Sequence, residues 1–363
     1  LSRRARRPRV VHVVPALFGP DGVVGGAERY ALELARHMTD ATPTELVAFA
    51  DRGRAETVGG LRVHVIGRPW YVRGQRFNPM ALDLFVRLSR AHIVHCHQRR
   101  LLCSNLSALA CRLSGRKVFV SDLGGGGWDL SAYLPTDRWY DGHLHISEYS
   151  RALAGHSGDA RAHVIYGGVD VGKFLPDPSA PGDGPVLYVG RLLPHKGVND
   201  LIAAAPPDLP LELVGRPYHA AYLDHLRCLA DGKRVTFRHD CDDGELVRAY
   251  RRAMCVVLPS VYRDVYGAET RVPELLGQTL LEGMACGIPA ICTNVASMPE
   301  VVEEGVTGFV VPPNDPAALR AKLRWLREHP RQARRMGEAG RRRVLEKFTW
   351  PAVVRRCLDL YGS

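Results

Sequence analysis

The chain has 363 residues, of which 46% are hydrophobic and 24% charged, and a formal net charge of +11. That length exceeds one ordinary domain and suits two, and the balance is that of a globular chain with real cores. No run approaches about 18 uninterrupted apolar residues, which excludes a membrane-spanning helix from the reading. Aromatics at 7% with no interleaved basic-aromatic motif argue against nucleic acid. The positive excess, mostly arginine, favours an anionic ligand or surface, and a phosphate-bearing substrate and an anionic membrane face fit it equally.

The opening "LSRRARRPRV" reads as a disordered basic tip, without the apolar core and cleavage site of a secretory signal. Short, nearly continuous apolar runs follow at 10–14, 62–66, 92–96, 117–120, 143–147 and 162–166, and again at 185–190, 211–215, 234–237, 255–259, 289–293 and 309–311. Such runs are expected of strands buried on both faces of a parallel sheet. Helix-like stretches separate them; in "AERYALELARHM", Ala27, Tyr30, Ala31, Leu34, Ala35 and Met38 share one face. Two alternating series predict two α/β doubly wound domains. Four prolines and two glycines in "FLPDPSAPGDGP" (174–185) read as the linker. The last helix carries Val353, Val354, Cys357, Leu358 and Tyr361 on one side and needs a docking surface. The scattered cysteines, nine in number and without a Cys-x-x-Cys pair, read as buried reduced thiols of a cytosolic protein.

Open α/β sheets bind ligands at the carboxyl ends of their strands, so the strand-to-helix loops carry the functional signal. After the first strand, Gly25-Gly26 precede a helix and allow close backbone approach to an anion; a flexible turn is the bland alternative. After the fourth strand, Gly124–Gly127 stand beside Asp122 and Trp128, either facing a ligand or forming a mobile surface loop. In "VGRLLPHKGVNDLI" (from Val189), Arg191 and Lys196 bracket a strand-end loop and suit a diphosphate. In "VPELLGQTLLEGMACGIPA", Gly277 separates Glu274 from Glu282. Thr279-x-x-Glu282 matches a capping box at a helix start, which gives Glu282 a structural role; Glu274, in the loop before it, has none. The Asp-x-Asp at 240–242 reads as cap and turn residues rather than a metal motif. His92, His95 and His97 alternate on a strand with His95 and His97 on one side, a weak metal signal that lacks a third carboxylate or cysteine.

Together, "VGRLLPHKG", "VTFRHDCDDGELVRAYRRAMCVVLPS" and "PELLGQTLLEGMACGIPAICTNVASMPEVVEEGVTGFVVPPNDP" resemble the second domain of retaining glycosyltransferases of family 4, and "GGAERYALELARHM", "HIVHCH" and "VIYGGVDVGKF" resemble its first. The resemblance implies a GT-B architecture of two Rossmann-like domains facing across a cleft. Residues 1–174 would be the acceptor domain, 175–347 the nucleotide-sugar domain, and 348–363 a helix crossing back to the first. It implies metal-independent, retaining transfer of a hexose from a nucleotide sugar, UDP-linked in preference to GDP-linked, to a hydroxyl on a small-molecule, glycan or lipid-linked acceptor, with no cofactor.

By the same resemblance, Arg191 and Lys196, with Gly190 before them, match the diphosphate grip. Glu274 and Glu282 match the pair at the transferred sugar and the ribose. Amides around Gly277, Gln278 and Thr279 would face sugar and phosphate, and Gly26 the diphosphate. The chain departs from the family pattern at "SDLGGGG", where Asp122 or Leu123 stands in place of a histidine; at "GGVD" (167–170); and in the lengthened "VYRDVYGAETRVP". A sugar-nucleotide epimerase and a non-catalytic sugar binder are the competing readings. The expected location is cytoplasmic, and the basic charge permits peripheral docking at the inner membrane face, although no Trp/Phe-rich amphipathic helix stands out.

Overall fold

A computed structural model describes residues 7–17, 26–180 and 182–362. Residues 1–6 of the basic tip and Gly25 lie outside the described residues. The chain forms two compact units. The first runs to Gly168 and takes back the chain from Trp350; the second is Val169–Thr349. The division falls a few residues before the proline-rich 174–185 stretch because the chain beyond Val169 is already tied to the second unit. Val169 N donates to Phe348 O at 2.8 Å, and Arg251 Nε donates to Leu175 O at 2.9 Å.

In the first unit, strands β1 (Val10–Leu17), β2 (Thr44–Ala50), β3 (Arg54–Val58), β4 (Leu61–Gly67), β5 (Trp70–Tyr71), β6 (Pro79–Met80), β7 (Ile93–His97), β8 (Lys117–Asp122), β9 (Gly142–His145) and β10 (Ala162–Val164) alternate with helices α1 (Gly26–Met38), α2 (Asp83–Leu88), α3 (Leu102–Leu113) and α4 (Glu148–Leu153). Eight strands form one sheet in the order β10-β9-β8-β7-β1-β2-β4-β3, while β5 and β6 pair separately. All neighbours in the large sheet are parallel except β3 and β4. Strands β2 and β3 have no counterpart among the predicted runs. "TELVAFA" opens with polar residues, and β3, "RAETV", is a half-exposed edge hairpin strand. The 143–147 run stops at His145 because Ser147 becomes the N-cap of α4, its hydroxyl accepting from Ser150 N.

The second unit contains β11 (Val186–Val189), β12 (Leu211–Val214), β13 (Val235–Arg238), β14 (Cys255–Leu258), β15 (Ala290–Thr293) and β16 (Gly308–Val311). Its helices are α5 (Val198–Ala204), α6 (Ala220–Leu229), α7 (Asp243–Arg252), α8 (Gln278–Ala285), α9 (Met298–Val301), α10 (Pro316–Glu328) and α11 (Pro330–Lys347). The sheet order is β13-β12-β11-β14-β15-β16, all parallel. This is a Rossmann order, and its direction reverses between β11 and β14; in the first unit the reversal lies between β1 and β7. Ligands of such sheets bind at that switch point.

The final helix, α12 (Trp350–Gly362), completes the first unit. Trp350 stacks on His37 at 5.8 Å between ring centres and leans on Tyr30 at 5.6 Å. Tyr361 Oη lies 2.6 Å from His95 Nδ1. His95 belongs to a buried trio with His12 and His97, whose ring nitrogens lie within 4.8 Å of one another. The third group that the sequence pattern lacked is therefore His12, supplied by β1; exposed His92 stands apart. Hydrogen-bond partners account for the trio: His12 Nδ1 is 2.9 Å from His97 Nε2, His12 Nε2 is 3.4 Å from Met38 Sδ, and His95 Nε2 is 2.7 Å from Ser121 Oγ. Only His97 Nδ1 in this trio lacks a partner among the described residues. All nine cysteines are free thiols. Among the described residues no helix is long and apolar enough to cross a membrane.

Burial lowers all three imidazoles below their ordinary range, His12 to about 3. An unfolded histidine titrates near 6.5, so below that pH the unfolded chain binds more protons than the folded one. Folding stability is therefore fullest above about pH 6.5 and falls progressively as pH drops toward 3. Thermal unfolding followed from pH 7.5 to 4.5 should show a steadily falling midpoint, reduced in slope by His12→Gln. A midpoint independent of pH in that window would contradict the buried neutral trio.

Candidate active site

The second unit's switch point collects most of the predicted residues. Strand β11 is followed by Gly190, whose amide donates to Val214 O at 3.0 Å. Arg191 follows, exposed, and the chain makes a short 3-10 turn over Pro194–Lys196 before α5. Gly197 closes that turn at φ 65, and a side-chain carbon there would collide with Pro259 O. Glycine is thus required on two counts, conformation and contact. The close approach presses the loop after β11 onto the loop after β14, and Val261 N donates to His195 O at 2.9 Å across the same seam.

The consequence is an ion pair that spacing alone does not disclose. Lys196 Nζ donates to Glu274 Oε1 at 2.5 Å and to Pro273 O at 3.0 Å. Ser260 Oγ donates to the same carboxylate oxygen at 2.9 Å. The side chains of Lys196 and Glu274 are 11% and 13% exposed, so the pair is largely desolvated but opens to one side. Among the described residues Glu274 Oε2 has no hydrogen-bond partner, and one of the three Lys196 N–H donors is left over. Burial and the adjacent ammonium lower the His195 imidazole below its usual value, so it is neutral near pH 7.

Arg191 and Gly190 line a cavity of about 260 Å³ at the ends of β11, β12 and β13, with Gly215, Arg216, Tyr218 and His239 opposite. The Arg191 guanidinium makes no ion pair among the described residues. Sequence reasoning missed Ser260 and the far wall of this cavity. The signals were present: "VVLPS" ends a buried strand on a hydroxyl, and Val214-Gly215-Arg216 repeats the Val189-Gly190-Arg191 pattern one strand over.

The opening of α8 corrects one expectation. The helix begins at Gln278, with Gly277 as N-cap at φ 80 and no side-chain cap bond. Thr279 therefore lies inside the first turn, and the Thr279–Glu282 capping box is not formed. Glu282 is buried, and its Oε2 accepts from Tyr250 Oη at 2.9 Å, a tie to α7. The first-turn amides, Gln278 and Thr279, have no intrahelical acceptor, as in any helix, and carry its positive dipole end. The discounted Asp-x-Asp proves structural at Asp242, which caps α7 through a capping box with Glu245. In the lengthened loop, Asp264 Oδ1 accepts from Tyr266 N and Ala268 N, and Tyr266 stacks on His219 at 5.8 Å.

The remaining two predicted residues belong to the first unit. Gly26 starts α1, exposed, with open space where a side chain would go. Asp122 ends β8; its Oδ1 accepts from Gly124 N at 3.2 Å, and its Oδ2 lies 3.9 Å from Arg99 Nη1. It thus shapes the start of the glycine run.

Two Rossmann-like α/β units, the second with a cation-bearing loop and a carboxylate at its switch point, define the GT-B class. The chain belongs to the family 4, or group 1, glycosyltransferases. The model described as glycosyl transferases group 1 matches residues 177–343, and that described as glycosyltransferase family 4 matches residues 24–173. It is 31% identical over 286 residues to a GDP-mannose-dependent alpha-(1-6)-phosphatidylinositol monomannoside mannosyltransferase of Mycolicibacterium smegmatis, covering 71% of this chain and 73% of that protein. It is 32% identical over 213 residues to a glycogen synthase of Mycobacterium tuberculosis, covering 56% of this chain and about half, 49%, of the relative's length. The solved sucrose-phosphate synthase of Thermosynechococcus elongatus superposes with a TM-score of 0.73 at 22% identity, covering 98% of each chain, a likeness of fold.

Gly197→Ala tests the seam that seats the ion pair. Forcing a side chain into the left-handed region against a carbonyl should cost about 1–3 kcal/mol, read as a lower urea midpoint at unchanged slope. An unaltered midpoint would mean that the two loops are not in contact.

Proposed function

We propose that this chain transfers a sugar, with retention of anomeric configuration, from a nucleotide sugar to a hydroxyl acceptor. The observation that carries the reading is the convergence at one switch point of Arg191, without an ion pair among the described residues and beside a cavity, and a Lys196–Glu274 pair with open donors and acceptors. In such a reaction the charge that grows is on the departing diphosphate. Arg191, the spare N–H of Lys196 and the amides opening α8 are fixed donors of the right sign to stabilise it. Glu274 Oε2 would accept from hydroxyls of the transferred sugar, with Oε1 locked by Lys196 and Ser260 so that the carboxylate cannot turn away. Gly215 packs directly on Gly190, where a side-chain carbon would collide with Gly190 O, so these two strand ends lie close together in the cavity wall. UDP-sugars and GDP-sugars are the two donor classes to try, the second because of the relative named as GDP-mannose-dependent.

Two cations and a helix end supply the electrostatic help that a metal gives in other transferases, and this supports metal-independent transfer. The leaving phosphate would take the acceptor's proton, which fits a site whose one reactive-looking carboxylate is already committed to an ion pair. The chemistry then asks the protein for position and charge rather than for a general base.

The test begins with thermal shift against UDP, GDP and their hexose conjugates, because a ligand of the folded state raises its melting temperature. Transfer is then measured with the nucleotide that binds. Glu274→Gln should lower transfer by about a hundredfold or more while keeping the nucleotide's thermal shift. Arg191→Gln should weaken nucleotide binding by about tenfold. Full transfer in Glu274→Gln, or epimerised donor formed without any acceptor, would overturn the proposal.

A further inference from the structure

The glycine run Gly124–Gly127 is not absorbed by the donor site, and it is the hub of a second strand-end surface. It follows β8, next to the first unit's own switch point between β1 and β7. A side-chain carbon at Gly127 would meet the side chains of Gln75, Asn78 and Phe77 at 2.6 to 3.0 Å, so the loop after β8 packs closely on the 68–79 segment at this glycine. Polar ties hold them together: Trp128 N donates to Gln75 Oε1 at 2.9 Å, and Asn78 Nδ2 donates to Trp128 O at 2.7 Å. Gly127 N donates to Arg100 O at 2.8 Å, which adds the loop after β7. Three loops are thus knitted into one surface.

That surface is strained and cationic. Arg68 and Arg73 have φ 50 and Gln98 has φ 106, conformations that cost about 1–3 kcal/mol each and gather at ligand sites. Gln98 Oε1 is buried without a hydrogen-bond partner. Arg73 stands over the Trp128 ring at 4.5 Å, and it and Arg100 are exposed, neither in an ion pair among the described residues. Nearby carboxylates are turned elsewhere: Asp122 and Asp129 each accept through Oδ1 from their own turns, Asp129 Oδ2 is buried without a hydrogen-bond partner among the described residues, and Asp51 is 3.7 Å from Arg76. An arginine on a tryptophan face, on one knitted surface with a second arginine that makes no ion pair among the described residues, is chemistry for a ligand with an anion next to a flat, partly apolar body.

We infer that this edge of the first unit receives the acceptor, and that the acceptor is anionic, carrying a phosphate or carboxylate gripped by Arg73 and Arg100 beside Trp128. The inference rests on the transferase reading for the word acceptor, but the anion site stands on its own geometry. The probe is a sugar phosphate, glucose 6-phosphate, compared with glucose by thermal shift and by quenching of tryptophan fluorescence.

Glucose 6-phosphate should stabilise the wild-type protein and glucose should not. The double variant Arg73→Gln/Arg100→Gln should bind the sugar phosphate at least about tenfold more weakly while keeping the nucleotide's thermal shift. Arg191→Gln/Lys196→Gln should keep the sugar-phosphate shift and lose the nucleotide's, so the two readings fail separately. Equal sugar-phosphate binding in wild type and Arg73→Gln/Arg100→Gln, or loss only in the donor-site variant, would overturn the inference. So would binding of phosphatidylglycerol vesicles that depends on Arg73 and Arg100 with no response to the soluble sugar phosphate, which would make the surface a membrane contact.

Discussion

The second unit's site depends on one desolvated ion pair, Lys196 with Glu274. Burying two charges costs several kcal/mol per ion, and their attraction repays this only with good geometry and further hydrogen bonds. Both conditions are met here: Pro273 O and Ser260 Oγ take up the remaining valences on the inner side. Such a pair is a poor device for stability, since apolar residues of equal volume would serve as well. Its value lies in orientation. Each partner pins the other, so one carboxylate oxygen and one ammonium hydrogen are presented outward at a fixed spot, without the reorganisation that a free side chain would need. The pair exists because Gly197 lets the loop after β11 touch Pro259 after β14. A backbone contact between two loops is thus the condition for the chemistry of two side chains.

The two sheets use one topology for two different jobs. In each, strand order reverses beside the first strand, at β1/β7 and at β11/β14, and each reversal leaves a crevice at the carboxyl edge. In the second unit the crevice holds an internally compensated pair plus Arg191, which makes no ion pair among the described residues. In the first, Asp122 and Asp129 each turn one oxygen back on their own loops, and Arg73 and Arg100 make no ion pair among the described residues. The formal charge of +11 is therefore not a diffuse solubility feature alone. Part of it consists of uncompensated guanidinium groups held at strand ends, where a low-dielectric wall on one side strengthens their field.

What the sequence disclosed and what it hid follow one physical rule. Strands buried on both faces betray themselves as short apolar runs, and the strand-end positions of Gly190, Arg191 and Lys196 could be read from where those runs stop, that of Glu274 from the helix start that follows it. Strand β3 was invisible because an edge hairpin strand alternates with solvent, and β2 because its first residues are polar. The capping-box expectation at Thr279 failed because a left-handed glycine, Gly277, can cap a helix start by itself, two residues earlier, so that Glu282 meets Tyr250 instead. The Lys196–Glu274 bond was hidden for a different reason. Its partners are far apart in the chain, and only the packing of two loops decides whether they touch. Pattern reading finds groups with local cause; pairs made by tertiary contact, such as His12 with His97, need the fold.

The last helix shows how chain order and stability interact. Trp350 and Tyr361 on α12 pack against Tyr30, His37 and His95 of the first unit, although the whole second unit lies between them in sequence. Without α12, His95 would lose its Tyr361 partner, and the aromatic faces of Tyr30 and His37 would lose their cover. Unpaired polar groups and exposed apolar faces of that kind are costly, so the first unit cannot reach its final core until the end of the chain is available. The second unit carries no such debt, because its six strands and their helices are continuous in sequence. Local, low-separation contacts form fastest. The order of folding this implies has the second unit organising from its own segment, and the first unit's core closing last, when α12 docks and seals the imidazole trio away from water.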